Sequence, residues 1–242
     1  MNVRTSPKKP GLPTFADWQF TPERAAVFGR EQTAVIADVH LGYEWARGSA
    51  GDCVVEHSLR ETTARLQALL DRTPLSRLIV AGDLLESARP CPHVARDLRQ
   101  LKAWLENRGV SLLVLEGNHD VSRSLSVNEP SREGARLPAF WNVGGWTIGH
   151  GHRPLAGAKI ISAHHHPVFC YGGHRAPCFL VGADRIVLPA FSSDAAGCDV
   201  VSAAVPREWL AGSLRCMVST GDEVLDFGPI TALRRRLRFN AR

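Results

Sequence analysis

Carboxylates and imidazoles recur in this chain wherever an apolar run ends. They stand as Asp38-Val39-His40, Gly82-Asp83, Gly117-Asn118-His119-Asp120, His150-Gly151-His152 and His164-His165-His166. Hard oxygens and imidazole nitrogens, with no thiolate among them, are a donor set for divalent cations such as Mn²⁺, Fe or Zn²⁺. Taken singly most of them read as ordinary strand-end turns, while Gly117-Asn118-His119-Asp120 is the most specific and reads as functional on its own. Together, in this order, they point to a site for two divalent cations. Two such cations can activate a water and grip the oxygens of a phosphate ester, so the chemistry on offer is hydrolytic.

The spacing within each motif says what each residue could contribute. Asp38 and His40 are two apart, so at strand spacing they leave on the same side as one clamp. Asp83 offers two oxygens that can bridge two cations, and Gly82 lets the backbone come close to a ligand. Glu86, three residues on, could support the ligands from behind, but reads first as an exposed loop residue. Asn118 supplies a neutral amide oxygen. His119 is placed as general acid or transition-state stabiliser, with Asp120 expected to hydrogen-bond its imidazole. His164 and His166 share a face and His165 points away. His174, in Tyr171-Gly172-Gly173-His174, is a candidate substrate contact but reads first as a loop histidine without a role.

Elements must deliver these residues to one place. Apolar, strand-like runs at 33–37, 78–81, 112–115, 146–149 and 158–163 precede the five motifs. Residues 56–72 carry Leu59, Leu66, Leu69 and Leu70 at helical spacing. Val94, Leu98, Leu101, Trp104 and Leu105 form a second such stripe. Both stripes read as core faces. The alternation is the βαβ rhythm of an α/β fold with a parallel sheet. A polar stretch over 121–138 reads as a long loop beside the site. Beyond Phe140 the signals are short strands at 146–149, 158–163, 177–181, 185–189, 198–204 and 214–218.

These motifs resemble the calcineurin-like metallophosphoesterase superfamily, whose pattern is D-x-H, GD, GNH(D/E), HGH and GHxH. The resemblance spans roughly residues 33–191, with Ala163 where the family usually has Gly. Ala37 to Glu44, Gly82-Asp83-Leu84-Leu85 and Leu188-Pro189-Ala190-Phe191 are similar to the ICC-like branch, which includes the DNA ligase-associated metallophosphoesterases. That branch often carries Glu where His165 stands. The resemblance implies a four-layer α/β/β/α sandwich of two packed mixed sheets flanked by helices. It implies one metal held by Asp38, His40 and His166, another by Asn118, His150 and His164, and Asp83 between them. His152 has no ligand role in that scheme. The implied reaction is hydrolysis of a phosphate ester by in-line attack of a hydroxide shared by two divalent ions, with Mn²⁺ the leading candidate. A phosphodiesterase or nuclease is the first reading. A phosphomonoesterase or pyrophosphatase on a small nucleotide or metabolite, and a non-catalytic scaffold, stay open. Association with a DNA ligase or helicase is implied by family analogy alone.

Composition bounds the rest. A chain of 242 residues with 44% hydrophobic and 22% charged residues is expected to form one globular domain over 1–242. No apolar run approaches membrane-spanning length. Residues 1–13 read as a short flexible lead without a secretory hydrophobic region. Six cysteines without zinc or redox spacing fit a reducing cytoplasm. The net charge is +5, part of it in Arg234, Arg235, Arg236 and Arg238. This basic stretch, about 232–242, is expected as a solvated helix end or tail, and such a cluster can also track a phosphate backbone.

Overall fold

The structure is a computed structural model and describes residues 12–120 and 136–240. Its first sheet has six strands: β1 (Thr14–Phe15), β2 (Trp18–Phe20), β3 (Ala26–Phe28), β4 (Thr33–Ile36), β5 (Arg77–Val80) and β6 (Ser111–Val114), neighbours in that order. The first four strands are joined antiparallel, and β4, β5 and β6 run parallel. Helices α1 (Tyr43–Ser49) and α2 (Ser58–Arg72) make the crossover from β4 to β5. Helix α3 (Pro92–Glu106) makes the crossover to β6.

The second sheet has nine strands: β7 (Phe140–Val143), β8 (Trp146–Gly149), β9 (Ile160–Ser162), β10 (Pro167–Tyr171), β11 (His174–Val181), β12 (Arg185–Val187), β13 (Cys198–Asp199), β14 (Arg215–Ser219) and β15 (Val224–Pro229). Seven of them run in the order β13-β10-β11-β12-β9-β8-β7. β14 pairs with β11 and carries β15. Helices α4 (Arg207–Ala211) and α5 (Ile230–Asn240) complete the described chain.

The period-2 alternation of the strands sorts side chains into layers. Val35, Ala37, Ile79 and Ala81 face the second sheet and meet Ile148, Ile161, Phe179, Val181 and Ile186. Their neighbours Ala34, Ile36, Leu78 and Val80 face the other way, onto Leu66 and Leu69 of α2 and Leu101 and Leu105 of α3. On the far side, Cys178, Leu180, Val187 and Cys216 pack on Trp209 of α4 and on Ile230 and Leu233 of α5. The result is a four-layer α/β/β/α sandwich. Burying each Leu, Ile, Val or Phe in these layers contributes roughly 1.5–3 kcal/mol.

Topology converges the chemistry. Because β4, β5 and β6 are parallel, the residues after all three emerge at one edge of the first sheet. β8 and β9 are also parallel, so His150 and His164 follow strands that end side by side. The chain after β12 closes the gap between sheets: Phe191 N–H donates to Ala37 O and Ser192 N–H to Asp38 O.

Several expected elements take other bounds. The strand expected at 198–204 is only Cys198–Asp199, followed by turns, and 158–163 narrows to Ile160–Ser162. The basic stretch expected as a helix end or tail belongs to α5, where Arg234 reaches back to Val200 O at 3.2 Å and also to Ser202 O. Residues 1–11 of the expected lead and 121–135 of the expected loop lie outside the described residues.

Candidate metal centre

The two carboxylates at the centre are almost fully buried, Asp38 at 0% exposure and Asp83 at 2%. Their turns interlock through the backbone. Asp38 N–H donates to Gly82 O, and the N–H groups of Val39 and His40 both donate to Asp83 O. Asp38, His40, Asp83, His164 and His166 all have left-handed backbones, with φ of 55°, 51°, 50°, 68° and 47°. Non-glycine residues rarely adopt this region, and it is over-represented where a site holds side chains in place. Gly82 is required for closeness as well as for its φ of 89°: an added Cβ would sit 2.5 Å from the His150 ring.

Imidazoles crowd around these carboxylates. His150 Nε2 bonds to Asp38 Oδ1 at 2.9 Å and lies 3.3 Å from Asp83 Oδ2. His166 Nε2 lies 3.1 Å from the same Asp38 oxygen, and His164 N–H donates to Asp38 Oδ2 at 3.3 Å. Asp83 Oδ1 accepts the His119 N–H at 2.8 Å. Among the described residues donor atoms fall into three groups, each with its members within 4.8 Å of one another: Asp38, His40 and His166; Asp83, His150 and His164; His40, Glu86 and His119.

Electrostatics follow from that packing. Burial pushes the Asp38 carboxyl up, but the His150 and His166 imidazoles beside it outweigh burial and hold it well below the usual carboxylate range. Burial pushes His40 and His150 down, and neighbouring carboxylates reverse that, so both end raised. His164 and His152 end lowered, by burial first and then by repulsion from His150.

The residues fit a cation pair on an observation independent of their types. Both ring nitrogens of His40, and Nε2 of His166, are buried without a hydrogen-bond partner. His40 Nδ1 is close to Glu86 Oε2, at 2.8 Å, and His166 Nε2 to Asp38 Oδ1, at 3.1 Å, but neither pair is aligned as a hydrogen bond. Buried polar atoms without partners are costly, and a cation would satisfy them.

Over residues 32–202 the sequence matches the family described as calcineurin-like phosphoesterase. The chain belongs to that family. A stretch of 97 residues is 30% identical to the DNA double-strand break repair protein Mre11 of Methanopyrus kandleri, covering 40% of this chain and 21% of that protein. The chain therefore spans about a fifth of that relative's length. The crystal structure of Pseudomonas putida nuclease MPE matches with a TM-score of 0.64 at 22% identity, covering 87% of this chain and 94% of that one. That likeness carries the fold.

In this calcineurin-like phosphoesterase some residues stand where the sequence did not put them. Asp120, expected to hydrogen-bond the His119 imidazole, makes its side-chain hydrogen bonds elsewhere. Its buried carboxylate accepts the N–H groups of Leu84 and Leu85 at 3.2 and 3.1 Å, bracing the turn after Asp83. Burial pushes this carboxyl up to about 6. His119 Nδ1 instead meets the Glu86 carbonyl at 2.6 Å. Glu86 is thus no bystander: its carbonyl meets His119 and its carboxylate stands beside His40. Only its place three residues after Asp83 could have signalled this. Asn118 is exposed on the turn after β6, between Gly117 and His119, which both abut Asp83. His152 Nδ1 lies 3.1 Å from His150 Nδ1. His165 points away, edge-on to Trp209. His174 is exposed at the start of β11. Ala163 is buried in the inter-sheet core, so its methyl is accommodated.

Proposed function

We propose that this phosphoesterase is a divalent-metal-dependent phosphodiesterase acting on nucleic acid. The observation that carries the reading is the double donor cluster, whose two carboxylates are buried and whose His40 and His166 nitrogens lack partners. The Mre11 and MPE likenesses, to a break-repair protein and a nuclease, support the diester choice.

In this reading Asp38, His40 and His166 would hold one cation and Asn118, His150 and His164 the other, with the Asp83 carboxylate available to both. The nitrogen and oxygen donors suit Mn²⁺, with Fe and Zn²⁺ as competitors. When bound, such a pair supplies an activated water and neutralises charge on the phosphoryl oxygens. The chain's own residues do the rest. Glu86 keeps the His40 ring in place through its carboxylate. The Glu86 carbonyl accepts from His119 Nδ1, which leaves Nε2 of the half-buried ring free to face the leaving oxygen; it is the doubly protonated imidazolium that gives the Nε2 proton to that oxygen and keeps the one on Nδ1. Asp120 holds the Leu84–Leu85 backbone, and through it the Asp83 turn. The structure has free cysteines at all six positions, in keeping with a reducing, cytoplasmic setting. Among the described residues no helix is long and apolar enough to cross a membrane.

The test is hydrolysis of bis-(p-nitrophenyl) phosphate and p-nitrophenyl phosphate with added Mn²⁺, with Asp83→Ala as control. The expected result is diester hydrolysis that the variant lacks, along with its bound metal. Monoester-only activity, or an Asp83→Ala protein with wild-type metal content, would overturn the reading.

A further inference from the structure

Three guanidinium groups gather beside the metal centre with no carboxylate in direct contact with them among the described residues. Arg24 comes from the turn between β2 and β3, Arg65 from α2 and Arg175 from β11. A cavity of about 140 Å³ joins Arg24 and Arg175 to His166, with Ser192 and Ser193 on its wall. Arg24, Arg175 and Ser193 also line a larger groove of about 660 Å³, where Arg65 joins them. His166 is the shared wall: its Nε2 lies 3.1 Å from Asp38, and the residue also lines the smaller cavity.

The charge on these arginines is only partly compensated, by Glu61 at a distance. Among the described residues no carboxylate oxygen comes within 4.0 Å of any of the three. Their bonds go to neutral oxygens: Arg24 to Ser192 O at 2.8 Å, Arg65 to Ser193 Oγ at 3.0 Å and Arg175 to Ala195 O at 2.8 Å. Of the two acids on the larger groove, Glu23 is already paired with Arg72 at 2.9 Å. Glu61 remains, one carboxylate against three guanidiniums. Burial, and then repulsion from Arg65, lower Arg24 to about 10. Like charges held together in a half-buried groove cost stability, and a bound anion offsets that cost. A guanidinium has five donors, so those left over can fork onto phosphate oxygens.

We infer that Arg24, Arg65 and Arg175 form a subsite for a phosphate neighbouring the scissile one, which makes the substrate a polynucleotide strand. The inference rests on the phosphodiesterase reading and deepens it. A small phosphomonoester has no second phosphate to place behind His166, whereas a strand supplies one at each nucleotide.

The experiment compares a short single-stranded oligodeoxynucleotide with bis-(p-nitrophenyl) phosphate, which carries no second phosphate. The variants are Arg65→Gln, Arg175→Gln and the double variant. Arg24 is left in place because its guanidinium braces three carbonyls, those of Ala190, Phe191 and Ser192, whereas Arg65 braces the Phe191 carbonyl alone, and the denaturation midpoint of each variant checks that the loss of that bond leaves the fold intact. In the double variant the ratio of kcat/KM on the strand to kcat/KM on the small diester should fall at least about tenfold, mainly through KM. The salt dependence of strand binding should flatten by about 0.7 in log–log slope for each arginine removed. An unchanged ratio, or inorganic phosphate competing as well as the strand, would overturn the subsite. Wild-type protein inactive on both substrates would count against the phosphodiesterase reading alone. In that event anisotropy of a labelled strand decides the subsite: weaker binding by the double variant upholds it, and equal binding overturns it.

Discussion

His40 Nδ1 stands 2.8 Å from Glu86 Oε2, joining the turn after β4 to the loop after β5. Side chains that steady a ligating imidazole typically change metal affinity by about 10–100-fold when removed. Glu86→Gln keeps the shape and removes the charge. The apparent affinity for Mn²⁺, read from metal-dependent activity and from direct metal titration, should weaken by that order. An unchanged affinity would return Glu86 to the exposed loop residue that its sequence position suggests.

His119 and Asp120 should separate cleanly. Loss of a general acid costs about 10²–10⁴ in turnover. His119→Ala should show that loss with bound metal near wild type, measured by elemental analysis. Asp120→Asn removes one of two acceptors from the Leu84 and Leu85 N–H groups, and an unsatisfied buried donor costs about 1–3 kcal/mol. Its main effect should be a lower denaturation midpoint, with a turnover loss far smaller than that of His119→Ala. A turnover loss as large as that of His119→Ala would restore Asp120 as the residue orienting the imidazole.

What the sequence shows of this molecule is what local pattern can carry. β4, β5 and β6 are short apolar runs followed within two to four residues by Asp38, Asp83 and Asn118, so strand, helix and donor are all visible from neighbours in the chain. The partners of Asp120 and Glu86 are not, because they depend on where two turns meet after folding. β7 escapes notice because three of its four residues are exposed on an edge. β10 is missed because its later residues lose burial and it begins at Pro167, directly after the His motif. The arginine cluster is assembled from residues up to 151 positions apart, Arg24 to Arg175, and no spacing rule announces it.

His57 links the start of α2 to the chain after β12. Its Nδ1 meets Val55 O at 2.8 Å and its Nε2 meets Asp194 Oδ2 at 2.9 Å. Both partners are acceptors, so the ring satisfies both only as the doubly protonated imidazolium. Burial lowers its pKa, but these two bonds reverse that and leave it raised. A raised histidine contributes stability that is fully present below the unfolded value, about 6.5, and is lost as pH rises through the higher folded value. The difference in denaturation midpoint between wild type and Asp194→Asn should therefore be wide near pH 6 and close in the alkaline direction. A gap independent of pH would mean that the pair contributes without protonation.

Gly117 tests whether the carboxylate position, rather than the carboxylate alone, is needed. An added Cβ would lie 2.1 Å from Asp83 Oδ1 and 2.2 Å from Asp83 N, contacts that backbone and a buried acid cannot absorb. Gly117→Ala should push Asp83 off the His150 and His119 groups while leaving the acid present. Bound metal and turnover should both fall at least about tenfold, the lower end of what disturbing a ligand's support costs. Gly48→Ala in α1 is the matched control. A Cβ there meets nothing within 4 Å, and the change should leave metal content intact while stabilising the helix by roughly 0.5–1 kcal/mol. Full metal occupancy in Gly117→Ala would show that the Asp83 turn can shift without losing its cations, and that its interlock with the His40 turn does not set the site.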